Sequence, residues 1–215
     1  MNRNKRKQQI MMASLQAFAK SGIQQTNISE LVRAAQVSRG TFYLYFSNKE
    51  ELLYNSLEHF YSQILALVDS LDFTLVKQRE DYDAVVQDFA SKLTEVIMPF
   101  GFFLKRLMLE MPEHKNLSKG AQLFSTQLRD ILAARLPLQI DALRLEVTIM
   151  CLVGGIKESV MRFSSQRNYI SMKTRLVEVS TMMLSNLYSD LNTNHITQDQ
   201  AYLAQNLDNS TSLDV

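Results

Sequence analysis

The 215-residue sequence has little of what builds tight turns or cross-links. Six glycines and three prolines make up about 4% of the chain, where an average domain carries roughly 12%, which argues against a turn-rich sandwich or barrel. A single cysteine, Cys151, rules out an internal disulfide. With only three histidines beside it, neither a Cys/His zinc cluster nor a four-cysteine iron–sulfur set can be assembled. No metal or cofactor is expected, and a reducing cytoplasm fits. Long hydrophobic runs are missing too: residues 96–104 and 147–156 are bracketed by charges and fall short of the ~20 residues a membrane-spanning helix needs. A basic start (Arg3, Lys5, Arg6, Lys7) before residues 10–18 has the outline of a secretory signal. Ser14 and Gln16 interrupt the apolar run, however, and no small-residue cleavage site follows, so the segment is read as part of a helix.

What remains is 46% hydrophobic and 21% charged, enough to bury a core, and the fold class expected is all-α. The net charge of +1 conceals an asymmetry. Residues 1–50 hold eight Lys/Arg against two acids, a net of +6, while the other 165 residues carry −5. A basic head on a mildly acidic body is the footprint of a nucleic-acid-binding module joined to something else.

In the head, apolar residues Ile10, Met11, Ala17 and Phe18 recur at helical steps and Gly22 follows as a stop, so helix one is expected over 5–21. Asn27 and Glu30 make a capping box for a short second helix, Ser38 caps a third over 39–46, and two overlapping boxes, Ser47/Glu50 and Asn48/Glu51, open a fourth. Two short helices joined by a tight corner form a helix-turn-helix. At 100° per residue the third helix sets Arg39, Gly40 and Tyr43 on one side and Phe42, with Phe46, on another, with Thr41 in its first turn. A guanidinium, a glycine and a phenol facing outward suit a major groove. Arg39 can bond a guanine O6/N7 edge bidentately, worth about 1–3 kcal/mol of discrimination. Lys49 beside the helix-four N-terminus is a candidate phosphate clamp. Thr26, Tyr45 and a flexible arm of Arg3, Lys5, Arg6 and Lys7 are candidate backbone contacts that add affinity without reading sequence.

The stretch Phe18-Ala19-Lys20-Ser21-Gly22-Ile23, then Thr26, Ile28 and Leu31, and above all residues 37–52 (VSRGTFYLYFSNKEEL), resembles the DNA-binding domain of TetR-family transcriptional regulators. The resemblance covers residues 5–55. It implies an all-helical protein of about nine helices, dimeric through its last two long ones, that binds a palindromic operator and is released by a small ligand. It also implies DNA contacts at Thr26, Arg39, Gly40, Thr41, Tyr43, Tyr45 and Lys49. One departure is Gln36, where the family usually has the corner glycine; it must either take an unfavourable left-handed conformation or make a different corner, and a locally adjusted turn is expected there.

The organisation expected is a head over 1–47, a helical effector-binding and dimerisation body over 48–192 entered by helix four, and a polar tail over 193–215. In the body, helices are expected at 48–71, 85–97, 102–110 and 123–136, with Pro99-Phe100-Gly101 breaking the second from the third. The segment 141–163 is apolar on two faces and 171–191 repeats the pattern, which argues for a self-interface, a four-helix bundle between two subunits. Gly154-Gly155 within it admits a close approach by another helix or a ligand. Met98, Phe102, Phe103, Met108, Phe124 and Met150 are candidates to line an adaptable apolar cavity, and Lys157 to meet an anionic group there, although a salt bridge explains a cation on this helix equally well. His59, His114 and His195 are scattered and no nucleophile elbow or phosphate loop is present, so no catalytic residue is assigned and the chain is not read as an enzyme. The function expected is a DNA-binding regulator, a repressor. Two rivals stay open: the same head with a body that binds a protein partner, as in the TetR-fold protein that blocks division over the nucleoid, and a ligand-binding enzyme with a vestigial head.

Overall fold

The computed structural model describes residues 3–110, 115–136, 142–162 and 169–188, and these form nine α-helices with no strand. The tail expected over 193–215 lies outside the described residues, as do His114 and His195. No helix among the described residues is long and apolar enough to cross a membrane.

Helix α1, Arg3–Ser21, buries Ile10, Met11, Leu15 and Phe18 along one face, and the buried Ser14 hydroxyl donates to the Ile10 carbonyl at 2.7 Å. It begins earlier than periodicity suggested, so the basic residues expected as a flexible arm are helical. Lys7 explains why: its ammonium bonds the Asn55 side chain and lies 5.6 Å from the Phe46 ring centre, holding the first turns against the next layer. Gly22 stops α1 in the left-handed conformation at φ 87°.

Helix α2, Ile28–Ala34, carries both halves of the Asn27/Glu30 capping box, each at 3.1 Å. Its end decides between the two alternatives for Gln36, which takes the left-handed conformation at φ 52°. The backbone closes around it as a Schellman motif, with the Gln36 N–H on the Arg33 carbonyl at 3.2 Å and the Val37 N–H on the Val32 carbonyl at 2.9 Å. Those two bonds satisfy carbonyls that would otherwise be orphaned, and that offsets the side chain's strain. Helix α3, Arg39–Tyr43, follows after Ser38, whose hydroxyl accepts the Thr41 N–H at 3.0 Å.

Helix α4, Lys49–Asp69, runs from head into body. Asn48 caps it at 2.7 Å, while the Glu51 carboxylate reaches back to the Ser47 N–H at 2.7 Å and is held below the usual carboxylate range by that bond. Helix α5 spans Arg79–Ile97, a 3₁₀ turn Met98–Phe100 follows, and α6 starts at once at Gly101. Pro99 was expected to break the chain here. Instead it sits in the first turn of the 3₁₀ segment, where no intrahelical N–H is required, so helical winding continues through it. Helix α7 is Lys115–Arg135, eight residues longer at its start than its apolar pattern; α8 is Ala142–Met161; α9 is Tyr169–Ser185, closed by a 3₁₀ turn Asn186–Tyr188.

The body is arranged around α5, which packs on α4 and α9, while α8 lies against α9 and α7 against α4. The buried Tyr82 on α5 donates its hydroxyl to the Leu184 carbonyl at 2.9 Å, and the Ser185 hydroxyl donates to Asp83 at 2.9 Å. One apolar cluster runs unbroken from Ile10 in α1 to Tyr188.

Candidate nucleic-acid interface

The reading surface rests on two residues that face inward. Phe42 and Phe46 are buried at 0% and 1% exposure, with ring centres 5.5 Å apart, and they key α3 onto the head's core. That fixes the opposite side of the five-residue helix outward. Tyr43 is 55% exposed and stands edge-on to Phe42, Arg39 and Gly40 are exposed, and Leu44 continues the surface at 70% exposure. Thr41 is half-buried, its hydroxyl 2.9 Å from that of Ser38. Arg39 is steadied by a bond from its guanidinium to the Ser29 hydroxyl at the start of α2. Sequence reasoning had no signal for Ser29, because the contact joins two helices across the corner. Gly40 is the informative residue: a Cβ built there meets only the Ser38 hydroxyl oxygen, at an ordinary 3.7 Å. Nothing inside the protein requires glycine at this position.

Two expected contacts sit differently. Thr26 is buried, and its hydroxyl is committed to the Gly22 carbonyl, so its side chain braces the corner instead of joining the exposed surface. Lys49 is half-buried and donates to the carbonyls of Ile23 at 2.9 Å and Gln24 at 3.0 Å, which leaves one of its three donors for a phosphate. Tyr45 is half-buried beside Phe46. Arg3, Lys5, Lys20 and Arg33 add exposed positive charge to the same domain.

A basic domain whose short, inward-keyed helix offers Arg, Gly and Tyr to solvent has the charge and shape that a duplex groove can accept. The family model for bacterial regulatory proteins of the tetR family matches residues 10–54, the segment that forms α1 to the start of α4. The fatty acid metabolism regulator protein of Bacillus subtilis is 32% identical over 137 residues, covering 52% of this chain and 71% of that protein. The chain belongs to the TetR family. As a TetR-family protein it is a DNA-binding transcriptional regulator, a class distinct from enzymes. The HTH-type regulator YerO of B. subtilis is 27% identical over 136 residues, 57% of this chain, and the match spans 47% of YerO, less than half its length. Salmonella enterica GusR shares the fold at a TM-score of 0.62 and 18% identity, over 86% of this chain and 97% of its own.

The seven residues expected to hold a ligand, six apolar ones and Lys157, do not share one groove among the described residues. Phe124 lines a groove of about 490 Å³ between α4 and α7, with Tyr54, Leu57, Tyr61 and Leu123, and stacks on Tyr61 with ring centres 4.4 Å apart. Burial pushes the Tyr61 hydroxyl's pKa up. Met150 lines a different groove, about 600 Å³, between α7 and α8, and is itself 64% exposed. Met98, Phe102, Phe103, Met108 and Lys157 line neither, and Phe103 is buried beside the Phe18 ring. Met98 and Met108 pack on the core, Phe102 and Lys157 are exposed, and the nearby cation Arg162 is taken by Glu158 at 2.6 Å. Helical spacing gave each residue's face but not which helix would cover it.

Proposed function

We propose that this TetR-family regulator is a cytoplasmic repressor that binds a palindromic operator as a homodimer and leaves it when a small, largely apolar ligand binds the body. Arg39, Gly40, Thr41, Tyr43 and Tyr45 meet the DNA, and Lys49 meets a phosphate. The observation that carries the reading is the exposed face of α3 with a glycine that the protein's own packing does not need. Dimerisation is supported by α8, where Leu143, Val147 and Met150 lie at helical spacing yet are 67%, 44% and 64% exposed, an apolar stripe that a second subunit would cover. Two such heads would set α3 in successive major grooves about 34–36 Å apart. Release by a ligand is supported by the α4–α7 groove, since α4 is the helix that carries the head. An apolar ligand fits its aromatic walls and is in keeping with a relative named for fatty acid metabolism.

Occupancy mapping in a bacterial host tests this, with wild-type protein and Arg39→Ala side by side. The expected result is one or a few promoter sites sharing an inverted repeat, lost in the variant. Dispersed occupancy across the chromosome, unchanged by Arg39→Ala, would overturn it.

A further inference from the structure

Head and body meet at two joints. One is α4, continuous between them. The other is made by Glu110, the last residue of α6, whose carboxylate enters the corner between α1 and α2. There Oε2 accepts the N–H of Ile23 at 2.7 Å and of Gln24 at 3.1 Å. The carbonyls of the same two residues are those that accept from Lys49. The corner's peptide groups are thus gripped on the donor side by the body and on the acceptor side by α4. The fit is close: a Cβ on Gly22 would lie 2.7 Å from Glu110 Oε1, so a glycine here lets the carboxylate in. Arg106, one turn earlier on α6, lies 3.6 Å from that oxygen and donates to the Ala19 carbonyl at 3.3 Å. Phe103 rests on Phe18 with ring centres 6.0 Å apart.

We infer that Glu110, a residue of the body, fixes the angle of the reading head and thereby selects the half-site spacing the protein accepts. This rests on the dimeric reading above. A head carried on one helix can rock about it, and the Phe18–Phe103 contact is apolar and does not specify direction. Two charge-assisted bonds from one carboxylate to consecutive peptide N–H groups do specify direction. A base-pair step is about 3.4 Å, so rocking of a few ångströms in either head changes the spacing by one step. Glu110 touches no DNA in this scheme; it is a positioning residue, and it alters where the two heads land without altering what each reads.

The test is selection of duplexes from a random-sequence library by the full-length wild-type chain, Glu110→Ala and Glu110→Gln, with amide exchange at Ile23 and Gln24 as the check that the grip has opened. Wild type is expected to enrich paired half-sites at a single spacing. Glu110→Ala enriches the same half-site sequence but raises the share of sites off by one or two base pairs about tenfold, the scale expected for losing a charge-assisted pair of bonds. Glu110→Gln, which keeps an accepting oxygen, falls between. Arg106→Met, which leaves the carboxylate in place, broadens the spacing in the same direction and by less. Unchanged spacing in Glu110→Ala despite faster exchange at Ile23 and Gln24 would overturn the inference alone, as would a changed half-site sequence. Failure of the wild-type chain to select paired half-sites at all would overturn the dimeric reading and this inference with it.

Discussion

Replacing Gly40 with alanine should make the protein more stable and a poorer DNA binder. Inside a helix glycine costs about 0.5–1 kcal/mol relative to alanine, and the new methyl would find only the Ser38 hydroxyl oxygen, at 3.7 Å, so no clash cancels the gain. For a chain of this size that is a rise in melting temperature of roughly 1–4 °C. On DNA the same methyl stands on the face that includes Arg39 and Tyr43 and keeps the helix backbone from closing on the groove. A loss of at least about tenfold in operator affinity, near 1.4 kcal/mol, is expected. Thermal unfolding by circular dichroism gives the first number, and fluorescence anisotropy with operator and random duplexes gives the second. Raised stability with undiminished affinity would refute the assignment of this side of α3 to the DNA.

Lys49→Ala should weaken operator and random duplex alike and lower the salt slope of binding by about one; an unchanged slope would mean the ammonium stays on the Ile23 and Gln24 carbonyls in the complex. Gly155→Ala puts a Cβ 2.7 Å from Val179 on α9, and the overpacking should cost about 1–3 kcal/mol, outweighing the helical gain. Gly154→Ala meets nothing within 4 Å and should unfold no earlier than wild type, so equal destabilisation by both in thermal melts would contradict the α8–α9 contact. Burial lowers the pKa of His59 from its ordinary 6.5, so the unfolded chain takes the proton first and stability falls as pH drops below that value. In His59→Gln the loss should begin only further down, in the ordinary carboxylate range, as the unfolded chain protonates first Glu51 and then Asp83, which the folded chain holds low chiefly through their bonds from Ser47 and Arg79. Parallel pH–stability curves would exclude the histidine as the cause.

The head was legible because its determinants are local. Asn27 with Glu30 and Ser38 with Thr41 are caps three residues long, and they fix where α2 and α3 start. Phe42 and Tyr43 differ by one helical step, enough to separate the buried side from the exposed one. Gln36 shows the limit of residue preference: the corner's two backbone bonds hold whichever residue stands there in the left-handed conformation. Pro99 was misread for a related reason, since its cost depends on which turn it occupies. The start of α7 was missed because polar residues give no periodicity to detect. Which of the body's candidates would share a groove was not legible, because Met98, Phe102 and Met108 carry the same apolar signal whether a neighbouring helix or a ligand covers them. Glu110 was invisible for a different reason: its partners lie 87 and 86 residues away, and nothing local marks a carboxylate as bound for a distant corner.

The five residues of α3 are too few to hold a helix in water, where nucleation costs more than one turn returns. Their shape is lent to them by the Ser38 hydroxyl, the Phe42 anchor and the floor that α1 and α2 provide. Grafted into another scaffold, Arg-Gly-Thr-Phe-Tyr would carry its letters without its pose. The smallest portable unit that reads a half-site in this chain is therefore the whole bundle from α1 to the opening of α4, and swapping half-site preference between relatives means exchanging that block.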